Sequence, residues 1–141
     1  MRKEPKRAPA VAKHKIIRTL VVDDSLVALR AICTMLRTRD AISVVGTARN
    51  GRDAVSKAEA LRPDLVLMDM EMPGVKGLEA TSWLRKRFPA IRVIVVTVHD
   101  DSEIQEACEA ADADGFVSKS RIHAELFAEI ERVFEKCRQT Y

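Results

Sequence analysis

The stretch DLVLMDMEMPGVKG, Asp64 to Gly77, places a single carboxylate, Asp69, at the end of an unbroken apolar run. Leu65, Val66, Leu67 and Met68 show no polar alternation, the pattern of a strand covered on both faces in a parallel sheet. Pro73-Gly74 and Gly77 are turn formers, so Asp69 falls where strand gives way to loop. In open α/β sheets, ligands collect outside the carboxyl ends of the strands. What else reaches that edge depends on the elements to either side.

Upstream, Thr19-Leu20-Val21-Val22 is a short apolar run ending in Asp23-Asp24. Leu29, Ile32, Cys33 and Leu36 then recur at i, i+3, i+4 and i+7, one stripe of a helix that Ser25 or Asp24 would cap. Ile42 to Ala48 reads as a strand, with Gly46 marking an edge position. Asn50-Gly51 turns the chain into a second helix with Ala54, Val55, Ala58 and Leu61 inside, closed by Pro63. Downstream, Leu78, Thr81, Trp83, Leu84 and Phe88 carry a third helix, and Ile91 to Thr97 is a further apolar strand. His99 to Ser102 forms a polar loop. A fourth helix follows, with a weak stripe of Ile104, Ala107, Cys108 and Ala111, which implies marginal packing. Asp114 to Ser118 is a last short strand, and Ile122, Leu126, Phe127, Ile130, Val133 and Phe134 a last helix.

Five alternations of strand and helix with short connections predict an α/β fold: a five-stranded parallel doubly wound sheet, with right-handed crossovers. The expected strand order is 2-1-3-4-5, with its crevice between strands one and three. At 141 residues, 47% hydrophobic and 32% charged, the chain fits one soluble domain. No run approaches the ~20 apolar residues of a membrane span, and the basic start lacks a signal peptide's apolar stretch, so a cytoplasmic location is expected. Cys33, Cys108 and Cys137 show no CxxC spacing, which argues against a disulfide framework or zinc site. The net charge of +3 conceals an asymmetry: Arg2, Lys3, Lys6, Arg7, Lys13, Lys15 and Arg18 face Glu4 alone, so the remainder is acidic. Residues 1–17 read as a basic flexible extension, 18–138 as the domain, and 139–141 as a tail. A basic tail of this size is more often solvated than bound, so neither nucleic acid nor membrane is an expected partner.

The predicted topology brings Asp23, Asp24, Asp69, Thr97 and Lys119 to one rim. Alone, each is an ordinary cap, turn or surface residue; together they are a cluster. Two unit charges 4 Å apart repel by about 4 kcal/mol at an effective dielectric of 20, so three neighbouring carboxylates call for a cation. Oxygen ligands with room for water suit Mg²⁺, and His99 has no second His or Cys beside it to favour zinc. Carboxylate-held Mg²⁺ typically takes a phosphoryl group as a further ligand. Lys119 would then neutralise one phosphoryl oxygen, Thr97 would donate to another, and Asp69 is the carboxylate best placed as nucleophile.

Over Arg18 to Arg138 the chain resembles the response-regulator receiver domain of two-component signalling, a flavodoxin-like fold. The acidic pair matches Asp23-Asp24, the phosphoacceptor matches Asp69 in LVLMDMEMPG, the switch threonine matches Thr97, and the lysine and switch aromatic match Lys119 and Phe116 in DGFVSKS. The resemblance implies that a sensor histidine kinase passes a phosphoryl group to Asp69, with Mg²⁺ on Asp24, Asp69 and the backbone carbonyl of Glu71, helped by Asp23. It implies a switching surface on helix four, strand five and helix five, where a homodimer, a downstream protein or a phosphorelay partner would bind. It also implies no enzyme beyond the chain's own phosphorylation and dephosphorylation. Phe116 would either turn inward as Thr97 moves or be core in both states. Ser120 stands where many of the family have a cis proline, so a trans bond is expected. Val98 is larger than the family's common residue and would crowd the phosphoryl group; with Glu71 and His99 it would set the phosphoryl lifetime.

Other readings fare worse. A Mg²⁺-dependent phosphohydrolase with an Asp69 nucleophile wants a second Asp where Glu71 stands. A flavodoxin-like cofactor site would not put Asp23-Asp24 in its phosphate loop, and GxGxxG is absent. The GLEAT and GFVSKS stretches resemble receivers that precede a DNA-binding domain. A stand-alone receiver is the expectation, with the receiver fragment of such a regulator as the alternative.

Overall fold

The computed structural model describes residues 15–138 apart from positions 73, 75 and 100 and the side chains of 136–138. Most of the expected basic extension, and the tail at 139–141, lie outside the described residues; Ile17, assigned above to the extension, already belongs to the first strand. The elements are β1 (Ile17–Val22), α1 (Leu26–Leu36), β2 (Ile42–Ala48), α2 (Gly51–Leu61), β3 (Leu65–Asp69), α3 (Gly77–Arg87), β4 (Arg92–Thr97), α4 (Ser102–Ala110), β5 (Gly115–Ser118), a 3₁₀ turn (Lys119–Arg121) and α5 (Ile122–Arg138). The strands form one parallel sheet in the order β2-β1-β3-β4-β5, as the alternation predicts.

All five residues of β3 are buried, because the central strand has helices on both faces. The pleat divides its side chains with period two. Val66 and Met68 join Leu20, Val22, Ala54 and Leu84 beneath α2 and α3. Leu65 and Leu67 join Val21, Leu36, Ile94 and Leu126 beneath α1 and α5. The periodic stripe of α1, Leu29-Ile32-Cys33-Leu36, is buried as read.

Local chemistry sets the helix ends. The Ser25 hydroxyl accepts from the Ala28 N–H at 3.2 Å and the Asn50 side chain from the Asp53 N–H at 2.7 Å. α2 stops one residue before the proline, at Arg62 in a left-handed conformation (φ 48°). In α4 only Cys108 is buried. Trp83 lies within α3, as read. It is 42% exposed and lies off the buried face of Ala80, Thr81 and Leu84. Three residues from Ala80 and two from Thr81 on a 3.6-residue helix is the flank of that face, where its ring packs edge-on against Phe88. The Lys119–Ser120 peptide is trans.

Candidate functional site

Parallel register carries the strand ends to one rim. Val22 pairs with Met68, Asp69 with Val96, and Thr97 with Ser118. Asp23 and Asp24 follow β1 directly, Asp69 closes β3, Thr97 closes β4, and Lys119 follows β5. Oxygens of Asp23, Asp24 and Asp69 all lie within 4.8 Å of one another. Lys119 Nζ stands 3.1 Å from Asp23 Oδ2 and 3.3 Å from Asp69 Oδ1.

The electrostatics of this group are uneven. Asp23 and Asp69 are each 1% exposed, whereas Asp24 is much less buried. Asp23 Oδ1 accepts from the Ser25 N–H (2.9 Å) and Asp69 Oδ1 from the Glu71 N–H (3.3 Å). Among the described residues, Asp69 Oδ2 has no hydrogen-bond donor, and Asp23 Oδ2 has the Lys119 ammonium alone, 3.1 Å away. Burial, reinforced by the Asp23 charge, pushes the Asp69 carboxyl up to about 6 against the opposing pull of Lys119 and the Glu71 N–H. Burial works against the Lys119 ammonium, yet Asp23 and Asp69 outweigh it and hold its pKa above the ordinary lysine value. Two buried carboxylates sharing one lysine thus leave an excess of negative charge and unsatisfied lone pairs. All-oxygen donors with one ligand open to water fit a hard divalent cation such as Mg²⁺.

Asp69 is held by its surroundings. α3 begins at Gly77, whose N–H donates to the Met70 carbonyl at 3.3 Å; a Cβ there would run into the Asp69 carbonyl, so only glycine allows this approach. Thr97 is fully buried. Its hydroxyl donates to Glu71 Oε2 (3.2 Å) and accepts from the His99 N–H (3.0 Å), while His99 Nε2 lies 3.7 Å from the same Glu71 oxygen. The structure therefore ties Glu71 and His99 to Thr97, and leaves Val98 56% exposed just past β4. Phe116 is not among the residues gathered around the carboxylates. It is half-buried and lines a cavity of about 530 Å³ between α4 and α5, together with Cys108 and Glu129.

Sequence reasoning missed three supports: Ser25 as a donor to Asp23, Gly77 as the residue that lets α3 approach Asp69, and Arg49, whose Nη2 donates to the Asp24 carbonyl at 3.1 Å. Ser25 was noted only as a cap and Gly77 only as a turn former. Arg49 carries no local signal, although placing β2 beside β1 brings it to the same rim.

Residues 19–131 match the family model of the response regulator receiver domain. The chain belongs to this family. The receiver is 41% identical over 119 residues to the response regulator GacA of Pseudomonas viridiflava, covering 84% of this chain and 56% of that protein. It is 33% identical over 120 residues to the response regulator protein VraR of Staphylococcus epidermidis, with coverage of 84% and 57%. The receiver thus spans little more than half the length of these curated relatives. Among solved structures, the response regulator domain of Thermotoga maritima CheB superposes with a TM-score of 0.79 at 30% identity, covering 86% of this chain and 98% of that one. A LuxR-family response regulator from Aurantimonas gives 0.82 at 30% identity, with coverage of 86% and 87%. These matches agree with the resemblance drawn from the rim residues and with the doubly wound, flavodoxin-like fold. Among the described residues, no helix is long and apolar enough to cross a membrane.

Proposed function

We propose that this receiver accepts a phosphoryl group on Asp69 from the phosphohistidine of a sensor kinase. The observation that carries the reading is the buried Asp69 Oδ2, left without a hydrogen-bond donor beside a lysine already shared with Asp23. That oxygen attacks phosphorus; the P–O bond forms as the P–N bond to the donor imidazole breaks, and the departing nitrogen keeps the electron pair and takes up a proton. Asp24, Asp69 and the Glu71 carbonyl, assisted by Asp23, would hold Mg²⁺. Bound there, the ion supplies positive charge that offsets the carboxylates and the phosphoryl oxygens. Lys119, anchored between Asp23 and Asp69, lies beside the nucleophile to pair with a phosphoryl oxygen. Thr97 must exchange its Glu71 acceptor for the phosphoryl group, and this exchange is the first step of a change relayed to Phe116 and the α4–β5–α5 face. Dephosphorylation is attack by water on the same centre, with Glu71, Val98 and His99 setting its rate. The chain catalyses only these two reactions.

A downstream protein, a phosphorelay partner or a second copy would read the altered face. A second reading of output, the receiver part of a longer DNA-binding regulator, is favoured by the greater length of the curated relatives. Intact-mass spectrometry after incubation with acetyl phosphate and Mg²⁺ tests the core claim. The native protein should gain one phosphoryl group and Asp69→Asn none; a native protein that never gains it would refute the proposal.

A further inference from the structure

Among the described residues, β5 is the outermost strand on its side of the sheet, and its outer edge has no strand partner. A buried or half-buried edge N–H needs an acceptor, and α5 supplies one. Glu129 Oε2 accepts from the Phe116 N–H at 3.1 Å. Arg132 grips the same carboxylate with both arms, Nε to Oε1 at 2.9 Å and Nη2 to Oε2 at 2.8 Å, while Nη2 also donates to the Asp114 carbonyl at 3.0 Å. The seat depends on Gly115, because a Cβ there would collide with Glu129 Oε2. The Glu129 side chain is 19% exposed, so this charge-assisted bond is only weakly competed by water.

This clamp grips a strand only four residues long. Phe116 pairs with Val95, and two residues on, Ser118 pairs with Thr97; the next residue is Lys119. Any shift of Thr97 or Lys119 toward a phosphoryl group is therefore delivered to β5 within three residues of the clamp. We infer that Glu129 is a positioning residue: it fastens β5 and Phe116 to α5 in the arrangement adopted before phosphorylation, and occupancy of the Asp69 site works against it. The inference rests on the phosphoacceptor function proposed above. A contact stronger in one arrangement than in the other biases the population of both, and the bias is felt reciprocally at the phosphoryl site.

Two variants release the clamp by different routes. Gly115→Ala displaces the carboxylate without changing any charge, and alanine in place of a strand glycine does not itself weaken the strand. Glu129→Gln keeps the shape but removes the charge that holds Arg132. In both, the Phe116 amide should exchange its hydrogen faster, and beryllium fluoride with Mg²⁺, a phosphoryl mimic, should bind about fivefold tighter than to the native protein. One substitution acts by bulk and the other by charge, so a gain in mimic affinity shared by both points to the clamp they have in common. Unchanged or weaker mimic binding in either variant, with native binding intact, overturns the inference. A native protein that binds no mimic and accepts no phosphoryl group would overturn the phosphoacceptor reading and this inference with it.

Discussion

The sheet has low-exposure carboxylates at both ends of its strands, held in opposite ways. At the amino end, Asp64 Oδ2 accepts from the Arg18 N–H at 2.8 Å, and Asp114 Oδ2 accepts from the Val93 N–H at 2.8 Å with Arg85 Nε 3.4 Å away. Arg85 goes on to donate to the Pro89, Ile91 and Asp112 carbonyls. These carboxylates staple one strand to the next. At the carboxyl end, Asp23 and Asp69 are buried more deeply, yet Asp69 keeps an oxygen with no donor and Asp23 Oδ2 rests on the Lys119 ammonium alone. An unsatisfied buried acceptor costs about 1–3 kcal/mol, so the two ends differ in what they do for the fold: one stabilises it, the other carries a cost within it.

The largest effect that could break this contrast is at Asp69 itself. Asp69→Asn should abolish phosphoryl uptake altogether, read by mass, while making the protein more stable at neutral pH by about 1–3 kcal/mol, since a buried, repelled charge is removed. A less stable Asp69→Asn protein would mean that the rim is stapled after all.

The next effect is the pH dependence without divalent ions. The folded Asp69 carboxyl titrates at about 6 against an ordinary 3.8, so between those values the native state binds a proton the unfolded chain has released. Asp69 therefore adds stability that is full below the lower value and lost as pH rises through about 6, worth up to about 3 kcal/mol. Burial also raises Asp114, despite the Val93 N–H and Arg85, and its contribution has the same sign. Urea midpoints between pH 4 and 8 should thus fall as pH rises, and Mg²⁺ should flatten only the part that Asp69→Asn also removes. A slope indifferent to both would place the titration elsewhere.

At the opposite edge, Asp114→Ala strands the Val93 N–H and takes a partner from Arg85. A loss of about 2 kcal/mol in chemical denaturation, with phosphorylation intact, is expected; a variant as stable as the native protein would remove the distinction between the two ends. The smallest effect belongs to the mouth. Glu71→Asn frees the Thr97 hydroxyl and Val98→Ala opens the approach, and each should alter the phosphoryl lifetime about fivefold, near 1 kcal/mol in barrier. Lifetimes equal to native in both would take Glu71 and Val98 out of the chemistry.

Much of this was legible in the chain. The runs Leu65–Met68 and Val93–Val96 have the continuous apolar character of doubly covered strands, and the stripe of α1 is buried as its spacing requires. Once five such alternations are granted, a parallel sheet has to deliver Asp23, Asp69, Thr97 and Lys119 to one rim, and it does. Trp83 belongs to the third helix as its sequence indicates, but its 42% exposure at the flank of the buried face was not legible from the spacing alone.

The sequence by itself determined the order of elements and the residue at the end of each strand, because periodicity and turn chemistry act over a few neighbouring residues. Only the tertiary structure decided that the Glu71 carboxylate engages Thr97, that Glu129 rests in the space Gly115 leaves, and that one of two similar sets of carboxylates is satisfied and the other is not. Those outcomes depend on strand register and on how water is excluded around pairs of residues 13 to 46 positions apart, and no local pattern carries that information.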